Sequence, residues 1–356
     1  MLEKKDLCIV HIGMPKTGSS TLQEAFDKGL NDSRVLYPKF PESNQSGRIY
    51  GLFVKNYLSY HFLAAQGVND KEKLQLFRDK SRKILHDAFC SENKSIILLS
   101  GEDLFHMTEE EVINFKNFLD PYFKKIVIFA YVRPVKSLLE SAFQQLVKYH
   151  KKNNLDPSSL YHRYKNFENF DKAFGSNNVL LYKFSKGDLI GSDIVLDFCK
   201  KLGLEDTYSD GKIFNESLSR EAVAVLFTYH YHQKINSDFG DKKYLVANEF
   251  VELLRGISGH SFKFSSKYYE RVMLQFESDY SWIKKRISDD FYEDIYADDL
   301  EGFSDEKDIL LYSTRCIDFL LSLLKNKVVP FDVVDHPQTV AKLVDLIMVD
   351  IYKKMF

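Results

Sequence analysis

The chain alternates short, uninterrupted apolar runs with longer stretches of helical periodicity. Leu7–Ile12, Ser95–Ser100 (SIILLS), Ile126–Val132 (IVIFAYV) and Val179–Phe184 (VLLYKF) are apolar without a polar face, the pattern of strands buried on both sides of a parallel sheet. Between them the period changes. Leu22, Ala25, Phe26 and Leu30 fall on one helical face, and Val112, Phe115 and Leu119 do so behind a capping box made by Thr108 and Glu111. After Pro134 the positions Val135, Leu138, Leu139, Ala142, Phe143, Leu146 and Val147 form a continuous helical stripe. Strands alternating with helices predict an α/β fold with a mainly parallel sheet flanked by helices.

Pro41–Gly47 and Lys151–Ser159 read as exposed loops. From about Ser217 the chain turns helical and charged with no linker. The expected organisation is one domain: a core over about 1–216 and a largely helical C-terminal extension over about 217–356. No repeat is evident.

Composition narrows the class. The 356 residues are 44% hydrophobic, enough for a large core, and 29 Phe and 21 Tyr rule out a disordered chain. A net charge of −2 gives no reason to expect a nucleic-acid partner. Cys8, Cys90, Cys199 and Cys316 lie far apart without metal-ligand spacing, so no metal site is expected and buried thiols are. The apolar stretch near the start is too short for a signal peptide and no run is long enough to span a membrane, so the cytoplasm is the expected compartment.

The first apolar run leads into Gly13-Met14-Pro15-Lys16-Thr17-Gly18-Ser19-Ser20 and then into a helix. A loop between a strand and a helix N-terminus is an anion site, because its N–H groups and the helix dipole both favour negative charge. The Gly13–Gly18 spacing imitates a nucleotide triphosphatase loop, but such a loop needs Lys directly after the second glycine. Here the lysine is Lys16, and Ser19 follows Gly18. The strand Ile126–Val132 also runs into Arg133 rather than an acidic magnesium ligand.

The run from His11 to Gln23, HIGMPKTGSSTLQ, resembles the 5′-phosphosulfate loop of sulfotransferases that use 3′-phosphoadenosine-5′-phosphosulfate (PAPS), particularly bacterial ones acting on glycans. The resemblance implies a P-loop-like three-layer fold. It implies that Lys16 contacts the bridging oxygen, and that the Pro15–Ser20 loop holds the 5′-phosphate through the backbone of Thr17, Gly18, Ser19 and Ser20 and the two serine hydroxyls. It further implies that Arg133 and, eight residues on, Ser141 bind the ribose 3′-phosphate, with Ser137 as a nearer competitor. Asn215 and Ser217, in a segment also similar to bacterial relatives, are candidates for closing over the nucleotide, against a plain helix start capped by Ser219. The product would be adenosine 3′,5′-bisphosphate.

The acceptor hydroxyl needs a base. Glu102, with Asp103 and His106 beside it in SGEDLFHM, follows the strand Ser95–Ser100 and is the first choice; a structural carboxylate is its alternative. His61 is a further candidate, although its aromatic neighbours suit a packed histidine, and His11 is expected to bond locally. Lys148–Tyr164 interleaves basic and aromatic residues, as a carbohydrate surface or a solvated loop would. A carbohydrate acceptor is the leading expectation. A lipid or small-metabolite acceptor, a nucleotide kinase and a silent nucleotide-binding scaffold are the alternatives.

Overall fold

The computed structural model describes residues 3–91, 93–149, 152–185, 187–210, 217–232, 239–288, 291, 293–296, 302–324 and 328–356. In chain order the elements are β1 (Lys5–His11), α1 (Ser19–Lys28), β2 (Val35–Leu36), α2 (Ser46–Phe53), α3 (His61–Ala65), α4 (Lys71–Phe89), β3 (Ile96–Ser100), α5 (Glu109–Leu119), β4 (Phe123–Val132), α6 (Val135–Tyr149), α7 (Asn166–Phe174), β5 (Val179–Lys183) and α8 (Ile194–Leu202). The remainder is helical: α9 (Arg220–Tyr231), α10 (Lys243–Leu254), α11 (Ser266–Gln275), α12 (Glu277–Ile287), α13 (Glu306–Ser313), α14 (Ile317–Leu323) and α15 (Pro337–Met355).

The chain packs as two compact units. The first comprises Met1–Pro134, Arg163–Phe214 and Ser278–Tyr292, and the second Val135–His162, Asn215–Glu277 and Glu293–Phe356.

The first unit is built on a five-stranded parallel sheet in the order β2-β3-β1-β4-β5. The four apolar runs are its β1, β3, β4 and β5. Their lack of a polar face has a simple cause. Ile9, Leu98, Phe129 and Tyr131 point into a cluster with Leu22 and Phe26 of α1 and Phe198 of α8, while the alternate residues Cys8, Val10, Ile97, Leu99, Ile128 and Ala130 are buried on the other face. There α7 packs on β4 and β5, and α5 on α7.

The expected capping box is present at the start of α5: Thr108 Oγ1 accepts from Glu111 N, and the Glu111 carboxylate accepts from Thr108 N at 2.9 Å. The segment Ser278–Ile287 is tied into this unit by charge. Buried Asp279 accepts from Tyr164 N and Lys165 N at 2.8 and 2.9 Å, and Arg286 forks onto Asp171 at 2.8 and 2.9 Å.

The second unit is helical, centred on the buried face of α9 and on an aromatic cluster in which Phe143 stacks on Phe262 at 4.9 Å and Phe264 on Tyr268 at 4.1 Å. The stripe read after Pro134 is its α6. Among the described residues, no helix is long and apolar enough to cross a membrane.

Gly101 joins β3 to the turn that carries Glu102, and a Cβ there would lie 2.8 Å from Ser46 Cα, a backbone atom that cannot swing aside. Gly101→Ala is expected to cost about 1–3 kcal/mol of stability, read as a lower urea midpoint at unchanged m-value. An unchanged midpoint would show that α2 yields freely.

Candidate active site

The Gly13–Ser19 loop is pinned between two strand ends. Ile12 N donates to Phe129 O and Met14 N to Tyr131 O, both at 3.0 Å, and Tyr131 N donates back to Gly13 O at 3.0 Å. On the other side Gly101 N donates to His11 O at 2.9 Å. The loop therefore continues the sheet for two residues before turning away.

Two glycines permit the turn. Gly13 has φ +94°, and a Cβ on it would sit 3.3 Å from both Cα and Cβ of Glu102, so only glycine lets the loop lie against that residue. Gly18 has φ +79° and precedes the right-handed Ser19, an alternation that turns successive N–H groups to one side as an anion-holding nest. Lys16 is itself left-handed at φ 71°, a conformation that costs a non-glycine residue about 1 kcal/mol or more.

The helix that follows has no side-chain cap, so its first N–H groups have no side-chain acceptor. Thr17 is fully buried and donates its hydroxyl to Met14 O at 2.6 Å, which shapes the loop and leaves only its backbone for a ligand. Ser19 is 4% exposed, and its Oγ makes no hydrogen bond among the described residues. A buried hydroxyl without a partner is costly unless something binds it. Ser20 is exposed beside it.

Arg133, just past β4, reaches back to this loop. Its Nη1 donates to Lys16 O at 2.7 Å, its guanidinium lies over the Phe184 ring at 5.5 Å, and its backbone N–H meets Met14 Sδ at 3.3 Å. Tyr164 Oη fixes it from behind by donating to Arg133 O at 2.7 Å. The proximity has an electrostatic consequence. Burial first, and then the Arg133 charge, hold the Lys16 ammonium below the ordinary lysine value, while Glu102 pulls it back up. Glu102 is its counterpart: burial and the Asp103 charge raise its carboxyl above the ordinary value, with Lys16 and the nearby Ser19 hydroxyl pulling it down.

The structure thus brings together Lys16, Ser19, Glu102 and Arg133, from three different strand ends and 117 residues of chain. It treats the other candidates differently. Asp103 accepts from Tyr60 Oη at 2.6 Å, so its carboxylate has a structural partner. His106, on the same short turn as Glu102, is exposed, as is His61 at the start of α3, where its ring meets Tyr60 edge-on at 5.0 Å. Ser141 is half-buried on α6, and Ser217 is exposed before α9; both belong to the second unit. Asn215 lies outside the described residues. Ser137 N donates to Glu293 Oε2 at 2.9 Å. Ser219 caps α9, accepting from Ala222 N.

Of the tyrosines in Lys148–Tyr164, Tyr161 stacks on Phe276 at 4.3 Å and Tyr164 is fully buried, while Tyr149 is exposed.

Sequence reasoning missed the layer beneath the loop. His11 Nδ1 hydrogen-bonds Ser100 Oγ at 2.7 Å, Gln23 Nε2 donates to the same hydroxyl at 3.3 Å, and Gln45 Oε1 accepts from Ser100 N at 3.1 Å. Only His11 and Gln23 were in the motif read from the sequence, and Gln45 carried no local signal.

No protein-family model and no curated protein matches the chain. Solved structures similar to it include a sulfotransferase from Alicyclobacillus acidocaldarius, at 16% identity and TM-score 0.36, covering 65% of this chain and 98% of that one. The sulfotransferase domain of the Synechococcus PCC 7002 olefin synthase is 12% identical with TM-score 0.31, over 77% of this chain and 96% of that one. The sulfotransferase domain from the curacin biosynthetic pathway is 12% identical with TM-score 0.35, over 78% and 99%.

The shared charge environment gives a signed expectation. Arg133→Ala removes a repelling charge, so the Lys16 ammonium should titrate higher; Glu102→Gln removes an attracting one, so it should titrate lower. Isotope-labelled lysine read at Cε by NMR, with Lys16→Ala to assign the signal, measures both. Two unchanged titrations would show that the three groups do not share a site.

Proposed function

We propose that the chain transfers a sulfuryl group from PAPS to a hydroxyl, and that the acceptor is a glycan. The observation that carries this reading is the convergence of Lys16, Arg133 and the buried Ser19 hydroxyl on an uncapped helix N-terminus, with Glu102 alongside. Two cations, an open nest and a buried hydroxyl make a site for an anion. The carboxylate makes it a site for chemistry.

The parts divide by role. The Thr17–Ser20 backbone and the Ser19 and Ser20 hydroxyls hold the 5′-phosphate. Lys16 stabilises the charge that gathers on the bridging oxygen as the sulfur–oxygen bond breaks. Arg133 reads the 3′-phosphate that distinguishes PAPS from other adenylates; the likeness to the family gives Ser141 the same ligand. Glu102 accepts the proton of the acceptor hydroxyl as its oxygen bonds to sulfur, and adenosine 3′,5′-bisphosphate leaves. Burial and the Asp103 charge raise its carboxyl above the ordinary glutamate value, which makes its carboxylate a stronger base than an exposed one. The saccharide acceptor is supported by the likeness of HIGMPKTGSSTLQ to the loops of bacterial glycan sulfotransferases. Asn215 and Ser217 remain candidates for the nucleotide's outer face. His106 and His61 are the alternative bases.

The deciding experiment incubates purified protein with radiolabelled PAPS and a panel of polysaccharides, oligosaccharides, phenols and lipids. Transfer to a saccharide is expected, with Lys16→Ala lowering the rate at least ~10²-fold and Glu102→Gln ~10²–10⁴-fold. Normal turnover in Glu102→Gln alongside a dead His106→Ala or His61→Ala would move the base to a histidine. No transfer to any acceptor, or full activity in a folded Lys16→Ala protein, would remove the sulfotransferase reading.

Arg133 has its own test. By calorimetry, Arg133→Ala should weaken adenosine 3′,5′-bisphosphate at least about tenfold, the scale of one charged hydrogen bond, and adenosine 5′-phosphosulfate far less. Equal losses would mean that Arg133 does not read the 3′-phosphate.

A further inference from the structure

A second region of the first unit gathers positive charge, at the opposite end of the sheet. A cavity of about 710 Å³ is lined by the start of β1, the residues before β2 and β3, and the start of β4. Its β1 residues, Lys5 and Asp6, lie at the amino end of the strand whose carboxyl end enters the Gly13–Ser19 loop. At ~3.3 Å per residue the two sites are on the order of 20 Å apart.

Among the described residues, five cations line this cavity: Lys4, Lys5, Arg34, Lys94 and Lys124. Among the described residues that line it, Glu3 and Asp6 are the acids that oppose them. Two of the cations are neutralised, Lys124 by Asp6 at 2.8 Å and Arg34 by Asp32 at 2.5 Å.

Among the described residues, the other three bond to carbonyl oxygens instead of carboxylates. Lys4 Nζ donates to Asp120 O and Lys94 Nζ to Ser33 O, each at 2.7 Å, and Lys5 Nζ donates to Ser91 O and Lys94 O. Carbonyl oxygens orient an ammonium but carry no net charge to cancel it. Lys5 is also half-buried, and burial holds its ammonium below the ordinary lysine value, so an arriving anion would relieve a real cost. These ammonium groups are tethered to carbonyls of different loops, so a ligand that meets all three needs more than one anionic group. The volume is within the roughly 300–1,000 Å³ of ligand sites.

We propose that this cavity is a second anion site, taking a molecule that carries two or more sulfate or phosphate groups and holding it through Lys4, Lys5 and Lys94. The site stands independently of the reaction proposed for the other end of the sheet. Its ligand chemistry has two sources, a sulfated polymer or an oligophosphate, and one measurement separates them.

The cavity contains its own reporter. Cys90 lines it and is half-exposed, whereas Cys8, Cys199 and Cys316 are buried, so an uncharged maleimide dye reads Cys90. The labelling rate of the full chain is measured with dextran sulfate, tripolyphosphate or unsulfated dextran, with adenosine 3′,5′-bisphosphate present throughout to keep the loop site out of the comparison. Dextran sulfate or tripolyphosphate should slow labelling, and unsulfated dextran should not; whichever protects at the lower concentration identifies the source. In Lys4→Ala/Lys94→Ala, which removes ammonium groups bonded only to surface carbonyls, the half-protecting concentration should rise about tenfold or more. Labelling unaffected by either polyanion at millimolar concentration would overturn the proposal, as would equal protection of the double variant.

Discussion

Holding Lys16 and Arg133 side by side is the constraint on which the carboxyl end of the sheet is built. Like charges repel, and burial disfavours the charged form of Glu102, the carboxylate beside them. The fold therefore has to fix the two cations mechanically. It does so by placing β1 and β4 as neighbours, His11 opposite Phe129, so that the residues running out of each strand stay within reach. The Lys16 carbonyl then receives the Arg133 guanidinium, which converts a repulsive pair of side chains into one with a shared backbone tether. The left-handed Lys16 and the two left-handed glycines follow from the same requirement, because the chain must double back under the guanidinium.

The layer below the loop is consistent with this. A protonated His11 would add a third positive charge within the same few residues of chain. Complete burial pushes its imidazole down to about 3, so the ring stays neutral and serves as a hydrogen-bonding spacer to Ser100. Phe129 and Phe198 flank that ring at 6.4 and 6.2 Å, which supplies the apolar surroundings that keep it so. Polar contacts there involve neutral groups, Gln23, Gln45 and Ser100, which fix geometry without altering the charge above them.

Much of this was legible locally, because the physics is local. Continuous apolar runs became sheet strands since both faces are covered, and a Gly-rich turn between a strand and a helix can do little except expose N–H groups. Lys16 and Arg133 could be paired from sequence because each follows a buried strand directly, and carboxyl ends of parallel strands share one edge. What escaped depends on distant partners. Val35–Leu36 is too short to show a period, and it counts as a strand only because β3 pairs with it. Asp103 could not be separated from Glu102 without Tyr60, forty-three positions away. Tyr161 and Tyr164 look like an exposed aromatic ladder until Phe276 and the Arg133 carbonyl claim them. The Ser141 assignment rests on an eight-residue interval alone, since the serine belongs to the second unit.

The position of the lysine also bears on what kind of anion the loop suits. A lysine on the first turn of the helix points along the helix axis toward the terminal phosphate, where a metal ion bridges and a strand-end carboxylate holds the metal. Here Lys16 is three residues earlier, inside the turn, and the strand end that could present a carboxylate presents Arg133. A divalent cation approaching this edge would meet two fixed positive charges. A singly charged sulfuryl group on a phosphate requires less compensation than a γ-phosphoryl group. One half-buried lysine and a nest of N–H groups are a charge supply that matches such a group.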